Sequence, residues 1–398
     1  MPWEVPEGWC WTTIGDCLIN RDGERIPISS EIRIKQKNKV FDYYGAAGVI
    51  DKVDDYLFNE RLLLIGEDGA NLLSRAKDNA FFAEGKYWVN NHAHILDATR
   101  KPLLDYIALY INSIALDPYI TGSAQPKLNQ DNLNRIPVPL PPFMEQLRII
   151  DSMAKSQVII DIIAEKQKEI VNAISLAKSK ILDLAIHGKL VPQDPSDEPA
   201  IELLKRINPD FVPSDNLHYG TDVPTKWQLC HIQDIASVEL GKTLDRLKNS
   251  GEEKPYLCAL NVKWDAFDLS TVKTIRIRPS EKERYAIQPG DLLVCEGGDV
   301  GRSAIWMEDR EVYYQNALHR IRFKSQDICP VFFLYVLRYY KEHGIIDDVC
   351  KGVTIKHFTG QVFRSIDLPF PPVSEQRRIV KKVKAYYKIL DEIVAGLD

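Results

Sequence analysis

The 398-residue sequence contains no run of 18 apolar residues, so nothing in it is expected to span a membrane. It opens Met1-Pro2-Trp3-Glu4, without a basic segment leading into an apolar one, and no secretory signal is expected. Its seven cysteines, at 10, 17, 230, 258, 295, 329 and 350, form no Cys-x-x-Cys pair. That spacing excludes an ordinary zinc knuckle and fits reduced thiols in a cytoplasmic protein. The phosphate loop Gly-x-x-x-x-Gly-Lys-Ser/Thr is missing, as is the dinucleotide fingerprint Gly-x-Gly-x-x-Gly. Gly297-Gly298-Asp299-Val300-Gly301 has the wrong spacing and reads as a turn. Asp117-Pro118-Tyr119 is one proline short of an adenine-methyltransferase motif and reads as a loop. Glu252-Glu253-Lys254 lacks the upstream Pro-Asp of a nuclease and reads as a solvated turn. Ser214-Asp215-Asn216 has no serine–lysine companion. A catalytic role is not expected, and neither a metal nor a cofactor is expected in the chain.

What is present is a long internal duplication, with a period of about 220 to 230 residues. Val5-Pro6-Glu7-Gly8-Trp9 opens one half and Val223-Pro224-Thr225-Lys226-Trp227 the other. Asn91 and His94 recur as Asn316 and His319. The halves close on Pro141-Pro142-Phe143-Met144-Glu145-Gln146-Leu147-Arg148-Ile149 and Pro371-Pro372-Val373-Ser374-Glu375-Gln376-Arg377-Arg378-Ile379. Both are Pro-Pro-x-x-Glu-Gln-x-Arg-Ile. Prolines enforce an extended approach, and a helix begins after them, with Ser374 as an N-cap and the glutamate near the positive helix end.

Two long helices are predicted, over 143–188 and 373–398. In the first, Ile149, Met153, Ile160, Ile163, Ile170, Ile174, Ala177, Ile181 and Leu184 fall at alternating spacings of four and three, with Ser156 and Gln167 as the only polar occupants of the seam. In the second, Ile379, Val383, Tyr386, Leu390 and Ile393 keep that rhythm. Sustained heptads indicate a coiled coil. Pairing the two copies implies antiparallel helices about an internal pseudo-two-fold. Gly188 stops the first helix. Residues 189–222 read as a polar linker holding a short amphipathic helix, Ala200 to Ile207.

The globular parts, 1–142 and 223–372, read as α+β units with twisted, mostly antiparallel sheets. Leu62–Gly66 and Asp291–Cys295 fit buried strands, and Leu103–Ile114 and Val331–Tyr340 fit helices. The net charge of -5 argues against a chain coated with nucleic acid, but basic residues still cluster. Arg33, Lys35 and Lys37 would share one face of a strand. Arg276 and Arg278, then His319 and Arg320, form groups able to meet phosphates. Two loops at equivalent places offer Ser123, Gln125 and Lys127, and Lys351, Thr354, Lys356 and His357, for base edges.

The layout resembles the specificity subunits of type I restriction–modification systems over essentially the whole chain. The residues that carry the resemblance are the two Pro-Pro-x-x-Glu-Gln-x-Arg-Ile segments, the two Val-Pro-x-x-Trp openings and Ile181-Leu182-Asp183-Leu184-Ala185-Ile186-His187-Gly188-Lys189-Leu190-Val191-Pro192-Gln193-Asp194-Pro195. The resemblance implies two target-recognition domains, each reading half of a split double-stranded DNA site. It implies that the paired helices set the spacer and dock two methyltransferase subunits. S-adenosylmethionine, ATP and Mg²⁺ would then belong to those subunits and to further restriction/translocase subunits. The second helix departs from the pattern, lacking a counterpart of the last heptads of the first. A coiled-coil scaffold without a DNA role and a hydrolase with an unfamiliar site are the competing readings.

Overall fold

The computed structural model describes residues 3–122, 125–214, 223–245, 249–349 and 360–397. Two compact units emerge, Met1–Ala164 and Glu165–Asp398. Each is built on the same plan, so the duplication read from motifs extends to strand order.

In the first unit, Cys10–Thr13 pairs antiparallel with Pro137–Leu140, the strand that leads into Pro141-Pro142. A four-stranded antiparallel sheet runs Ile19–Asn20, Ala93–Asp97, Leu62–Gly66, Ala80–Ala83. A second sheet orders Gly48–Val53, Phe41–Gly45, Lys86–Val89, Phe58–Asn59, and in it Phe41–Gly45 lies parallel to Lys86–Val89. The second unit repeats this. Gln228–His231 pairs with Asp367–Phe370. Ala236–Leu240, Leu318–Phe323, Leu292–Cys295 and Ser303–Ile305 form the four-stranded sheet. Glu252–Leu257 lies between Lys273–Ile277 and the parallel strand Tyr313–Tyr314. Glu252-Glu253-Lys254 is therefore the start of a strand and not the turn read from its charge; its cross-strand pairing with Ile275, Arg276 and Ile277 outweighs its polar composition.

Leu62 through Ile65 are fully buried, as are Leu292 through Cys295, which explains their unbroken apolar runs. Pro102–Ser113 and Pro330–Glu342 are the covering helices, each with proline in its first turn. One long helix spans Phe143–Ile186 and another Val373–Ala395, both starting directly after Pro-Pro. No helix among the described residues is long and apolar enough to cross a membrane.

One local expectation needs correction. The second long helix is capped by Pro372 without a side-chain bond, and Ser374 lies inside it. The prolines set the helix start, leaving the serine no capping role. The short amphipathic helix expected within 189–222 is present over Ala200–Ile207. Helix Ala200–Ile207 buries Ala200, Leu203 and Leu204 in the same core as Trp227, Phe332 and Leu182. Its amphipathic face finds the second domain because an apolar stripe without cover is costly in water.

Candidate nucleic-acid interface and helical surface

At one end of the first domain's sheet, three turns converge. The Glu67 N–H donates to the His92 carbonyl at 2.9 Å, the Leu128 N–H to the Glu67 carbonyl at 2.8 Å, and the Gly69 N–H to the Pro126 carbonyl at 3.1 Å. Asn91, Gln125 and Lys127 are exposed there, with the Lys127 Nζ 3.2 Å from Glu67. His92 Nδ1 lies 2.7 Å from Asp68. The backbone thus groups residues from positions 67–69, 91–92 and 125–127 into one polar face. The second domain repeats part of it: the Glu296 N–H donates to the Ala317 carbonyl at 2.9 Å, and the half-buried Asn316 donates its N–H to the Lys242 carbonyl at 2.8 Å. Ser123, Lys351, Thr354, Lys356 and His357 lie outside the described residues.

Beneath the first face sits a charged cluster that sequence reasoning missed. His94 is 1% exposed; its Nδ1 is 2.5 Å from Asp22 and its Nε2 2.8 Å from the Leu128 carbonyl, so both ring nitrogens face acceptors. Arg25 bonds Glu67 at 2.6 Å and approaches Asp22 at 3.5 Å. Ligand atoms of Asp22, Glu67 and His94 lie within 4.8 Å of one another, but the Arg25 guanidinium already supplies the positive charge among them. Burial pushes the Asp22 carboxyl upward, yet the bond and charge of His94 hold it below its ordinary value. The signal available in sequence was the charge-dense run Arg21-Asp22-Gly23-Glu24-Arg25, which reads equally well as a solvated turn.

Several basic candidates prove to be structural. His94 and His319 are each 1% exposed and Arg320 is 3% exposed. They sit on central sheet strands, and Arg320 spends its guanidinium on the Arg284 and Ala286 carbonyls at 2.9 and 2.8 Å. Arg33 lies on a helix, Ser30–Lys35, not on a strand. Ser29 caps that helix, and Arg33 packs over Tyr43 at 4.5 Å while bonding Asp51 at 2.9 Å. Lys35 and Lys37 remain exposed beside it. Arg276 and Arg278 are both 59% exposed, Arg278 paired with Glu281 at 2.6 Å.

Along the first long helix, Ile149 is half-buried against its own domain. Met153, Ile160, Ile163 and Ile170 are 50, 56, 53 and 40% exposed. Ile174 is buried, and Ile181 and Leu184 are half-buried, while Leu182, Ala185 and Ile186 are fully enclosed. The second helix runs antiparallel beside the later part: Gln167 Nε2 donates to the Leu397 carbonyl at 2.7 Å, and the Tyr387 hydroxyl to the Lys178 carbonyl at 3.1 Å. Lys178 also pairs with Asp391. Ile379 and Val383 are fully buried and Leu390 half-buried, but Tyr386 and Ile393 face outward at 37 and 47% exposure. Tyr387 and Val394 take the inward places. The face is shared between two neighbours, because Tyr387 also packs on Tyr335 and Arg338, and this rotates the buried stripe by one position.

The repeated motif has a defined function in the fold. Gln146 Nε2 donates to the Pro141 carbonyl and Gln376 Nε2 to the Pro371 carbonyl, both at 2.9 Å, locking each Pro-Pro onto its helix. Glu375 does not act as an exposed dipole partner. It is fully buried, accepting from Trp227 Nε1 at 2.9 Å and Gln193 Nε2 at 2.5 Å. Burial raises its carboxyl above the ordinary 4.5, against the pull of those two donors. Above pH 4.5 the unfolded chain loses a proton that the folded one keeps. The stability contributed by this group is thus fullest below 4.5 and is lost as pH rises through the folded value. Unfolding of the wild type and Glu375→Gln between pH 4 and 8 is expected to show the wild type falling relative to the variant as pH rises. A pH-independent difference would mean that Glu375 does not titrate this way.

A model of the type I restriction modification DNA specificity domain matches residues 6–172 and again 224–397. The chain belongs to the type I restriction–modification specificity family. It is 23% identical to a putative type I restriction enzyme specificity subunit of Haemophilus influenzae, over 97% of this chain and 90% of that protein. It is 21% identical to the EcoEI specificity subunit of Escherichia coli, over 100% of this chain and 80% of that one. The crystal structure of an HsdS subunit from Thermoanaerobacter tengcongensis superposes with a TM-score of 0.57 at 17% identity, covering 100% of this chain and 92% of that one. A chain from a structural study of type I complex assembly and conformational transition gives 0.59 at 17% identity, covering 100% and 96%. These structures share the fold. The specificity subunit is a DNA-recognition component with two recognition domains, not the catalytic component of its system.

Proposed function

We propose that this specificity subunit reads a bipartite double-stranded DNA site in the cytoplasm, one half-site per domain. The supporting observation is one DNA-specificity domain occurring twice with the same strand order, including the same parallel pair. The working division is 1–142 and 223–372 for recognition, 143–188 and 373–398 for the spacer helices, with 189–222 between. The exposed Asn91, Gln125 and Lys127, with Lys35 and Lys37, are the contacts proposed in the first domain; Arg276, Arg278 and Asn316 are those of the second, together with Lys351, Thr354, Lys356, His357 and, in the first, Ser123. Base edges in the major groove supply the information and phosphates the register.

The helices would set the unread spacer and dock two methyltransferase subunits, which bring S-adenosylmethionine. Restriction/translocase subunits would bring ATP and Mg²⁺. Methylome sequencing of cells expressing this chain with its methyltransferase subunit tests the reading. A split motif with methyladenine in each half is expected; no sequence preference over random duplex would overturn it.

The exposed isoleucines separate folding from assembly. Ile160→Asp is expected to change the chain's own stability by less than about 0.5 kcal/mol, since the side chain is 56% exposed. Binding to the methyltransferase subunit is expected to weaken by more than about tenfold, because a lone carboxylate would be buried there. Unchanged binding in a pull-down titration would remove this face from the interface.

A further inference from the structure

In the first domain the chain leaves the strand Lys86–Val89, which lies parallel to Phe41–Gly45, at Asn90. The Asn90 N–H donates to the Tyr44 carbonyl at 3.0 Å. The second domain repeats the step: Gln315 follows the strand Tyr313–Tyr314, and its N–H donates to the Leu257 carbonyl at 3.0 Å. Both domains therefore carry a side-chain amide at the same point, directly before Asn91 and Asn316.

Asn90 is 4% exposed, and its side chain is only half satisfied. Its Oδ1 accepts from the His92 N–H at 2.8 Å. An N–H can be met only by the oxygen of the amide, which fixes the orientation of the group. Nδ2 has no hydrogen-bond partner among the described residues. A donor held this way discriminates among ligands by whether they bring it an acceptor, because a buried donor left unmatched costs free energy.

The same residue lines a pocket of about 460 Å³. Ile28, Arg33, Tyr43 and Ile50 form its walls, and Asn91 and His92 join it to the polar face proposed to meet DNA. The Arg33 guanidinium is already paired with Asp51 at 2.9 Å and stacked over Tyr43 at 4.5 Å. The pocket thus offers a neutral donor and apolar walls, which suit a base edge better than a phosphate.

We propose that Asn90 is a specificity-determining residue of the first domain, its Nδ2 donating to the keto oxygen of one base, guanine O6 or thymine O4, presented at the pocket mouth. The proposal rests on the reading of this chain as a DNA-recognition subunit. In the major groove those two bases present an acceptor where adenine and cytosine present an amino group. An amino group would set donor against donor at Nδ2. Oδ1 cannot turn to meet it without releasing the His92 N–H.

Methylome sequencing of cells expressing the chain with its methyltransferase subunit is repeated with Asn90→Asp. The carboxylate keeps an oxygen for the His92 N–H and puts an acceptor where Nδ2 stood. One position of one half-site is expected to undergo a transition, guanine to adenine or thymine to cytosine, with the other half-site and the spacer unchanged. Which transition appears identifies the base. Purified complexes are expected to show the same reversal, at least about tenfold, between duplexes that differ by that transition, one step of the affinity scale. An unchanged motif would overturn the proposal. Equal weakening on every sequence would mark a phosphate contact and overturn it too. Should Asn90→Asp not fold, Ile50→Trp, at a position 56% exposed, fills the pocket and leaves the amide in place. It is expected to weaken binding of the wild-type site at least about tenfold, and wild-type affinity would overturn the proposal. A wild type that methylates no split motif would instead remove the DNA-recognition reading, and this inference with it.

Discussion

Replacing Asp22 with alanine is expected to destabilise the first unit by about 3–5 kcal/mol, the cost of breaking a buried ion pair from one side. The His94 ring, 1% exposed, would keep its bond to Leu128 and lose the carboxylate at its Nδ1, and Arg25 would lose one of its two carboxylate neighbours. The Ile95 N–H, which donates to Asp22 at 2.7 Å, would also lose its acceptor. An orphaned buried donor adds its own desolvation cost. Because Asp22 titrates below 3.8 in the folded state, its stabilisation is present above that value and is lost as pH falls below it. The gap between wild type and Asp22→Ala therefore narrows in acid. Calorimetric unfolding near pH 7 and near pH 3 checks both statements, and a neutral-pH loss below about 1 kcal/mol, the size of an ordinary surface effect, would mean the pair contributes little.

Trp227→Ala is the second large effect, expected at about 3–5 kcal/mol in the other unit. Trp227 meets Phe332 edge-on at 6.1 Å and packs on the Gly188 turn. Its loss leaves a cavity and removes one of the two donors to Glu375. Trp9→Ala, in the half-buried twin, is expected to cost less than half as much. Denaturant unfolding of the two variants decides the comparison. Equal losses would mean that the cover over Trp227 contributes little to the second domain.

Exposure is distributed unevenly over the polar candidates. Arg33, His94, His319 and Arg320 spend their polar atoms inside the domains. Lys35, Lys37, Asn91, Gln125, Lys127, Arg276 and Arg278 keep theirs outside. Charge type alone does not distinguish these groups, since burial depends on which strand is central. Only the second group is available to a phosphate without unfolding anything.

Much of the architecture was legible in local spacing. The Pro-Pro segments set both helix starts, because proline excludes helix before them on steric grounds. The apolar runs at 62–65 and 292–295 marked central strands, since only a strand covered on both faces tolerates unbroken hydrophobicity. Gly188 marked a helix end through its left-handed backbone. The duplication followed from motifs repeated in order.

Other features required the tertiary structure, because they depend on partners far apart in sequence. Asp22 meets His94 from 72 positions away, and Glu375 meets Gln193 from 182. The strap at 188–199 joined the second domain only because Trp227, Glu375 and Arg378 assemble there. The heptads of the second helix specified a helix that pairs, but its buried stripe was decided by Tyr335 and Arg338 on a neighbouring helix. Periodicity determines that a face is apolar; the position of every other element determines which residues on that face are covered.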